Sequence, residues 1–532
     1  MRRGAPAARG AARAARETRA ALARSACFIA LAFLASAGCA SRPAAPVDLT
    51  ILSTNDFHGA LESRATDRDT KRPLGGAAYV VATIDSLRAI DPAGTLVLDG
   101  GDIYQGTALS NLTQGRATIE YMNAAGFDAA AIGNHEFDWG VPTLVERIGQ
   151  ARFPMLVANM VEKATGRAPA WATPYTILRR KGVRVAVIGL ITPSTPMVTM
   201  PENVEPYTFL DPAEVANRLI GELVPRRADI AVIACHIGGR QDSVGTITGE
   251  VAEMARAIDG EAAIVSGHTH SRLEGTIDGV PVVQALSSGR YLGRIDLLVD
   301  RAARRVIEGR AAILPVFADS VAPDREVVAM IERERGAVEQ ILEEVLGEAA
   351  VPLTTERREC PMGNLVSDVM REVSGAAFAF TNPGGLRAPI DEGPITYSEV
   401  YEVLPFDNTM VVYELTGAEV IRLLEQGAEG GGFLHASGIR YTLDRTKPSG
   451  SRITAASRAD GSPITPETIY PAAVNSFMAQ GGDGLAMLVD HPRSRETGIV
   501  IRESFADWIR AQTKAGRKVT AAVDGRINRI GD

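Results

Sequence analysis

Five times in its first half this chain runs apolar and then stops abruptly at polar residues and glycine. Residues 47–53 run into Asn55-Asp56-Phe57-His58, and residues 95–98 into Asp99-Gly100-Gly101-Asp102. Residues 129–132 run into Gly133-Asn134-His135-Glu136, residues 230–234 into Cys235-His236, and residues 264–266 into Gly267-His268-Thr269-His270. A strand buried on both faces reads as a continuous apolar run, and in a parallel sheet the residues that follow it gather at the carboxyl edge. Apolar positions at helical spacing over 75–90 and 117–125 fall between these strands. With further apolar strands predicted at 183–190, 282–285 and 293–298, the alternation describes a layered α/β domain.

Residues 324–346 are rich in Arg and Glu, with Val, Ile and Leu at helical spacing, which predicts one long helix. That helix either connects two domains or packs on the surface of one. Beyond it, residues 351–525 mix helical and strand patterns with glycine turns, a second α/β or α+β domain. A chain of 532 residues is long enough for two cores. The boundaries read as a first domain over 47–318, a linker helix within 319–347 and a second domain over 348–528.

The first 38 residues carry seven Arg and one Glu. An Ala/Arg-rich stretch precedes an apolar core of about ten residues and the small residues Ser36-Ala37-Gly38. That order describes a secretory signal peptide over 1–38, too short to span a membrane as a helix. Cys39 resembles a bacterial lipoprotein cleavage site, followed by a tether over 39–46, although Ser36 stands where an aliphatic residue is usual. The expectation is export across the inner membrane, to the periplasm or to the outer membrane as a lipoprotein, with Cys39 the membrane contact. Cys27 lies in the leader and Cys39 at its edge, so only Cys235 and Cys360 remain in the body and no disulfide framework is expected. Net charge is −8 overall and −14 without the leader, which argues against binding a nucleic-acid polymer. An acidic body of this kind binds phosphate through isolated arginines.

Five of the seven histidines sit in the polar steps, beside Asp56, Asp102 and Asn134. Carboxylate, imidazole and amide donors together suit a borderline divalent metal such as Zn, Mn, Fe or Co. A structural zinc site would need thiolates that are absent here. Two ions about 3.5–4 Å apart need a bridging carboxylate, and Asp102, arriving alone from its strand, is the natural candidate. Asp56 with His58, and His268 with His270, stand two apart, a spacing that turns both side chains the same way on an extended segment. One histidine at a strand end is more often structural; five in register are read as a metal site. His435 and His491 fall outside the cluster and read as surface or structural residues.

The run Ile51-Leu52-Ser53-Thr54-Asn55-Asp56-Phe57-His58-Gly59 resembles the first signature of the calcineurin-like metallophosphoesterases, in their 5′-nucleotidase branch. Gly101-Asp102, Gly133-Asn134-His135-Glu136-Phe137-Asp138 and Gly267-His268-Thr269-His270 resemble the signatures that follow, in order. The resemblance covers nearly the whole chain beyond the leader. It implies a four-layer α/β/β/α sandwich joined by a helix to a second α/β (α+β) substrate-binding domain. It implies two divalent ions, one held by Asp56, His58, Asp102 and His270, the other by Asp102, Asn134, His236 and His268. His135 is implied as the catalytic imidazole, with Asp138 orienting it. Such a pair of ions acidifies water into an in-line nucleophile for phosphorus.

In the second domain Asn382-Pro383-Gly384-Gly385-Leu386-Arg387 resembles the family's Asn-Gly-Gly-Gly-Ile-Arg turn, with Pro383 replacing a glycine and its amide donor. Glycines such as Gly385 let backbone N–H groups approach an anion, and Arg387 adds a bidentate donor. Phe406 in Pro405-Phe406-Asp407-Asn408 and Phe477 in Phe477-Met478-Ala479-Gln480-Gly481-Gly482-Asp483-Gly484 match the aromatics that sandwich a nucleobase, with Asn408 and Asp483 as polar contacts. Glu356 stands where the family often has arginine, with Arg357 and Arg358 just after it, so that part of the phosphate grip departs from the pattern. The implied protein is a monomeric metal-dependent 5′-nucleotidase, with UDP-sugars and NAD as further family substrates. Rival readings are a 2′,3′-cyclic-nucleotide phosphodiesterase/3′-nucleotidase, a thiosulfohydrolase, or a nucleotide-binding lipoprotein without catalysis.

Overall fold

A computed structural model describes residues 45–531 apart from 63–64, 68–69, 225, 261 and 490. The expected leader and Cys39 lie outside the described residues. In chain order the first unit runs β1 (Val47–Thr54), α1 (Ala77–Arg88), β2 (Thr95–Asp99), α2 (Arg116–Ala125), β3 (Ala129–Ala131), α3 (Gly140–Gln150), β4 (Met155–Leu156), β5 (Tyr175–Arg180) and β6 (Val183–Ile191). It continues with α4 (Pro212–Leu223), β7 (Ile230–His236), α5 (Glu250–Ala257), β8 (Ala262–Val265), β9 (Arg272–Ile277), β10 (Val280–Ala285), β11 (Tyr291–Asp300) and β12 (Arg305–Pro315).

These strands form two six-stranded sheets, ordered β12-β11-β1-β2-β3-β4 and β9-β10-β8-β7-β6-β5. The middle of each is parallel, β1 to β4 in one and β6, β7, β8 and β10 in the other. The apolar runs are continuous because alternate residues enter different cores. Leu49, Ile51, Leu96 and Leu98 face Val185, Val187, Ile230 and Val232 between the sheets. Leu52 and Val97 turn outward beneath α1, α2 and α3, while Ile188, Ile233 and Ile264 turn outward beneath α4 and α5. The result is the four-layer α/β/β/α sandwich. Each such side chain contributes about 1.5–3 kcal/mol by leaving water.

The connecting helix α6 (Arg325–Leu342) begins where the Asp324 carboxylate accepts from Val327 N at 2.9 Å. Val327 and Met330 belong to the first unit's core, and Leu342 to the second. Arg116 bonds Glu334 at 2.5 Å and Arg333 bonds Glu120 at 2.8 Å, so α6 is fastened to α2. The helix stops short of its predicted end at residue 346. Val345 and Leu346 instead enter β13 (Val345–Ala349), paired with a strand near residue 395 that local periodicity cannot reveal.

The second unit continues with α7 (Pro361–Ser374), β14 (Phe378–Thr381), β15 (Gly393–Thr396), α8 (Tyr397–Val403), β16 (Thr409–Thr416), α9 (Gly417–Glu429), β17 (His435–Ser437), β18 (Ile469–Asn475), β19 (Ser494–Val500) and α10 (Ile501–Lys514). Its central sheet has the order β17-β14-β18-β16-β19. Helices α7, α8 and α10 cover one face and α9 the other. Both α8 and α9 start at capping boxes, Thr396 with Glu399 and Thr416 with Glu419. Among the described residues no helix is long and apolar enough to cross a membrane. Cys235 and Cys360 are both buried and free.

Candidate metal centre

The carboxyl ends of β1, β2, β3, β7 and β8 meet at one edge of the sandwich, and the polar steps turn there. Asp56, His58, Asp102, His268 and His270 all adopt left-handed backbone, with φ of 47°, 50°, 56°, 80° and 49°. The paired side chains therefore converge through tight turns and not along extended segments, which corrects the spacing argument. Left-handed backbone costs a non-glycine residue about 1 kcal/mol or more, and such strain concentrates at functional sites. Close approach also explains Gly133: a Cβ there would sit 2.2 Å from Asp102 Oδ1.

Two groups of donor atoms lie within 4.8 Å of one another, Asp56 with His58 and His270, and Asp56 with Asp102 and His236. His236 Nε2 is 3.0 Å from Asp102 Oδ2 and 3.9 Å from Asp56 Oδ1. His270 Nε2 is 3.3 Å from Asp56 Oδ1 and 3.0 Å from His58 Nε2. His58 Nε2 is 4.0 Å from Asp102 Oδ2. Asn134 donates through Nδ2 to Val198 O at 2.9 Å, which turns its Oδ1 to within 3.1 Å of His268 Nδ1.

Carbonyls assign the tautomers. His58 Nδ1 lies 2.7 Å from Gln105 O and His236 Nδ1 2.9 Å from Gly100 O, and a carbonyl only accepts. Each Nδ1 thus carries a proton, which leaves Nε2 as the nitrogen that would face a cation. His236 Nε2 is buried and, although 3.0 Å from Asp102 Oδ2, is not aligned for a hydrogen bond to it. Converging imidazole Nε2 atoms and carboxylate oxygens, with no thiolate, fit a divalent cation. The same field shows in the acidities. Burial alone would raise Asp56, but His270 and His236 outweigh it and bring its pKa down to about 2. Burial alone would lower His236, but Asp102 and Asp56 push it up to about 10. His268 is lowered to about 4 by burial and by His236.

His135 stands beside this cluster. Its Nδ1 is 2.7 Å from Asp138 Oδ2, its Nε2 is 4.0 Å from Asp102 Oδ2, and its backbone N–H donates to Asp102 Oδ1 at 2.9 Å. Burial opposes protonation of His135, but Asp138 and Asp102 outweigh it and hold its pKa above the usual imidazole value. Asp138 pairs with His135 and does not cap α3, whose first residue follows Trp139.

The second unit reaches the cluster through two side chains. Arg387 Nη2 lies 3.2 Å from His58 Nε2, and the Phe406 ring stacks on His135 at 5.6 Å and 26°. Asn382 donates to Asp483 Oδ2 at 2.7 Å and accepts from Asn475 at 2.9 Å, so these motifs are joined. Phe406, Asn408 and Gly385 line one small pocket. Phe477 packs instead against Gly482 and the α9-side core, without ring contact to Phe406 among the described residues. A cavity of about 630 Å³ opens between the units, lined by His58, His270, Arg290, Arg357 and Arg387. Arg358 turns away to Glu356.

Three supporting residues stand inside the polar steps, where residue type alone gives them no role. Glu136 is buried and accepts from Asp102 N at 2.8 Å, Ile103 N at 2.7 Å and Gly133 N at 2.7 Å. Asp99 accepts from Thr54 at 2.6 Å and Gly101 N at 2.7 Å. Asn55 donates to Asp56 at 2.6 Å and accepts from Ala285 N at 2.7 Å. A buried acidic residue inside a ligand motif, as Glu136 is, was the available signal.

Residues 49–272 match the calcineurin-like phosphoesterase family, and residues 345–490 the 5′-nucleotidase C-terminal domain. The chain is 31% identical over 526 residues to endonuclease YhcR of Bacillus subtilis, covering 92% of this chain but only 42% of that relative. It is 31% identical over 536 residues to the 5′-nucleotidase of Vibrio cholerae, covering 90% and 94% of the two. The solved structure of a 5′-nucleotidase precursor from Thermus thermophilus superposes with a TM-score of 0.82 and 32% identity, covering 91% of this chain and all of that one.

Proposed function

The chain belongs to the 5′-nucleotidase family of hydrolases, and from that premise we propose that it releases phosphate from nucleoside 5′-phosphates outside the cytoplasm. The observation that carries the reading is the His135–Asp138 pair, 2.7 Å apart, beside a cluster of carboxylate and imidazole donors. Asp56, His58, Asp102 and His270 would hold one divalent ion, and Asp102, Asn134, His236 and His268 another. Bound there, the ions would supply Lewis acidity toward phosphoryl oxygens and a lowered pKa for water.

The chain's own groups do the rest. Asp138 accepts a hydrogen bond from Nδ1–H of His135 and keeps Nε2 directed at the cluster. His135 can then hold a proton at Nε2 for charge developing on the phosphoryl group, or pass it to the leaving oxygen. Arg387 brings a planar two-pronged donor to the same place, suited to phosphate. Phe406 and Phe477 would flank the base, with Asn408 and Asp483 as polar contacts and Asn382 and Gly385 shaping the turn between. Phe406 covers His135 in this arrangement, so a bound nucleotide must displace its ring. That requirement favours rotation of the second unit. The pivot suits the link after Leu342, because α6 itself is fastened to the first unit.

The test is phosphate release from a panel of nucleotides by metal-loaded protein, with His135→Ala as control. His135→Ala is expected to lose about 10²–10⁴-fold in kcat while keeping its metal. No release from any nucleotide sinks the proposal. Activity confined to 2′,3′-cyclic nucleotides or thiosulfate esters would identify one of the rival reactions. The location rests on the leader over 1–38; fractionation that finds the full-length chain in the cytoplasm would overturn it.

A further inference from the structure

The residue that completes the dyad lies outside every motif of the ligand cluster. We propose that Thr199 is a positioning residue for the His135–Asp138 pair, third in a chain Thr199–Asp138–His135. It rests on the reading of His135 as the catalytic imidazole.

Thr199 is 2% exposed, and its Oγ1 donates to Asp138 Oδ1 at 2.8 Å. The other carboxylate oxygen, Oδ2, is 2.7 Å from His135 Nδ1. The two oxygens of Asp138 thus have separate tasks. A carboxylate turns easily about its last bond, because that torsion has no sharp staggered wells. Held by His135 alone, it would swing with the ring. Held at its second oxygen by a buried hydroxyl, it presents Oδ2 in one orientation, and Nε2 of His135 follows. A hydroxyl donor also favours the ionised carboxylate that the imidazole needs.

Thr199 is itself held by its surroundings. It leaves the short helix Thr195–Val198 in extended backbone, φ −135° and ψ 178°. The preceding carbonyl, Val198 O, accepts from Asn134 Nδ2 at 2.9 Å. Four residues on, Asn203 Nδ2 donates to Phe137 O at 2.9 Å and Asp138 O at 3.1 Å. One strap from the second sheet therefore grips the 134–138 turn at Asn134, Phe137 and Asp138, and Thr199 is its contact with the dyad's carboxylate. The same strap touches the second unit where Thr195–Val198 packs on the Gly482–Gly484 turn.

The test compares Thr199→Val, which keeps the shape and removes the donor, with Thr199→Ser, which keeps the donor. Thr199→Val is expected to lower kcat about 10–100-fold, the range for residues that orient catalytic ligands, with KM and bound metal unchanged. Thr199→Ser is expected to recover most of that loss. In metal-free protein with ¹⁵N-labelled histidine, the His135 Nδ1–H resonance, assigned by its loss in His135→Gln, is expected to move upfield in Thr199→Val. A kcat within about twofold of the parent, or a loss shared by Thr199→Ser, overturns the proposal. So does a fall in kcat accompanied by loss of metal or of melting temperature, which marks a structural role. If the parent protein hydrolyses no nucleotide, the functional reading fails alone, and the imidazole resonance still decides Thr199.

Discussion

Replacing Glu136 by Gln should loosen the metal turns before any catalytic group is touched. Three backbone donors share the two Glu136 oxygens: Asp102 N and Gly133 N meet Oε2 at 2.8 and 2.7 Å, and Ile103 N meets Oε1 at 2.7 Å. A glutamine keeps one oxygen. In its better orientation that oxygen retains Asp102 and Gly133, and the new amide points N–H at the N–H of Ile103. Burial and the neighbouring Asp102 raise the Glu136 pKa to about 7, so the comparison belongs near pH 8, where the acceptor is charged. One hydrogen bond to it is lost, about 1.5–3 kcal/mol, and a buried donor is left without a partner. With donor–donor repulsion the cost reaches about 2–4 kcal/mol, or roughly 5–10 °C in the first unit's melting temperature. Metal affinity should fall with it, because Asp102 is itself positioned by the amide that Glu136 holds. The assay is calorimetric unfolding of metal-free protein, followed by metal titration. Unfolding within about 1 °C of the parent, with unchanged metal affinity, would refute the reasoning.

Arg387→Lys should lower kcat/KM for nucleotides about 10-fold or more, since a point charge replaces a two-pronged donor; equal kinetics would remove Arg387 from the phosphate grip. Phe477→Ala should raise KM for nucleotides by the worth of one base stack, about 1–3 kcal/mol, and spare bis-p-nitrophenyl phosphate; equal losses on both would mean Phe477 is only a core residue. His435 lies buried against Cys360 and Phe433, and burial together with Arg526 lowers its pKa from 6.5 to about 4. Its folded pKa is below its unfolded one, so its contribution is complete above pH 6.5 and is lost as pH falls toward 4. His435 should account for about 2 kcal/mol of the change in stability between pH 7.5 and pH 5, read as the difference between the parent and His435→Phe in urea unfolding at the two pH values; equal pH dependence in both would remove that role.

The site's chemistry is legible in the sequence because catalysis on phosphate restricts residue type. His, Asp and Asn at strand ends have few other reasons to recur together, and the apolar runs before them place the strands to within a few residues. What escapes is carried by backbone or by distance. Asp and His enter left-handed backbone more often than most residues, but too seldom to mark φ near 50° at Asp56 or His58, so the turns read as extended segments. Thr199 acts on a partner 61 residues away and leaves no local spacing to read, and Glu136, although inside a ligand motif, does most of its work on Asp102 and Ile103, more than thirty residues back. Strand β12 goes unpredicted because its exposed, charged face breaks the apolar run. Helix α6 reads too long because Val345 and Leu346 continue its periodicity, while their β-partner lies some fifty residues away.

Helix α6 has a consequence for how this chain can be recombined. Its salt bridges and its core residues Val327 and Met330 belong with the metal half, and only its last turn enters the other core. A crossover placed before the helix, near residue 318, would strand Glu334 beside a foreign partner for Arg116 and expose an apolar stripe on both halves. A crossover just after Leu342 leaves the first hydrophobic core with the parent that shaped it and parts only Leu342 from the second. Grafting nucleotide pockets between relatives should therefore treat the helix as the catalytic half's last element, and the two residues after it as the seam.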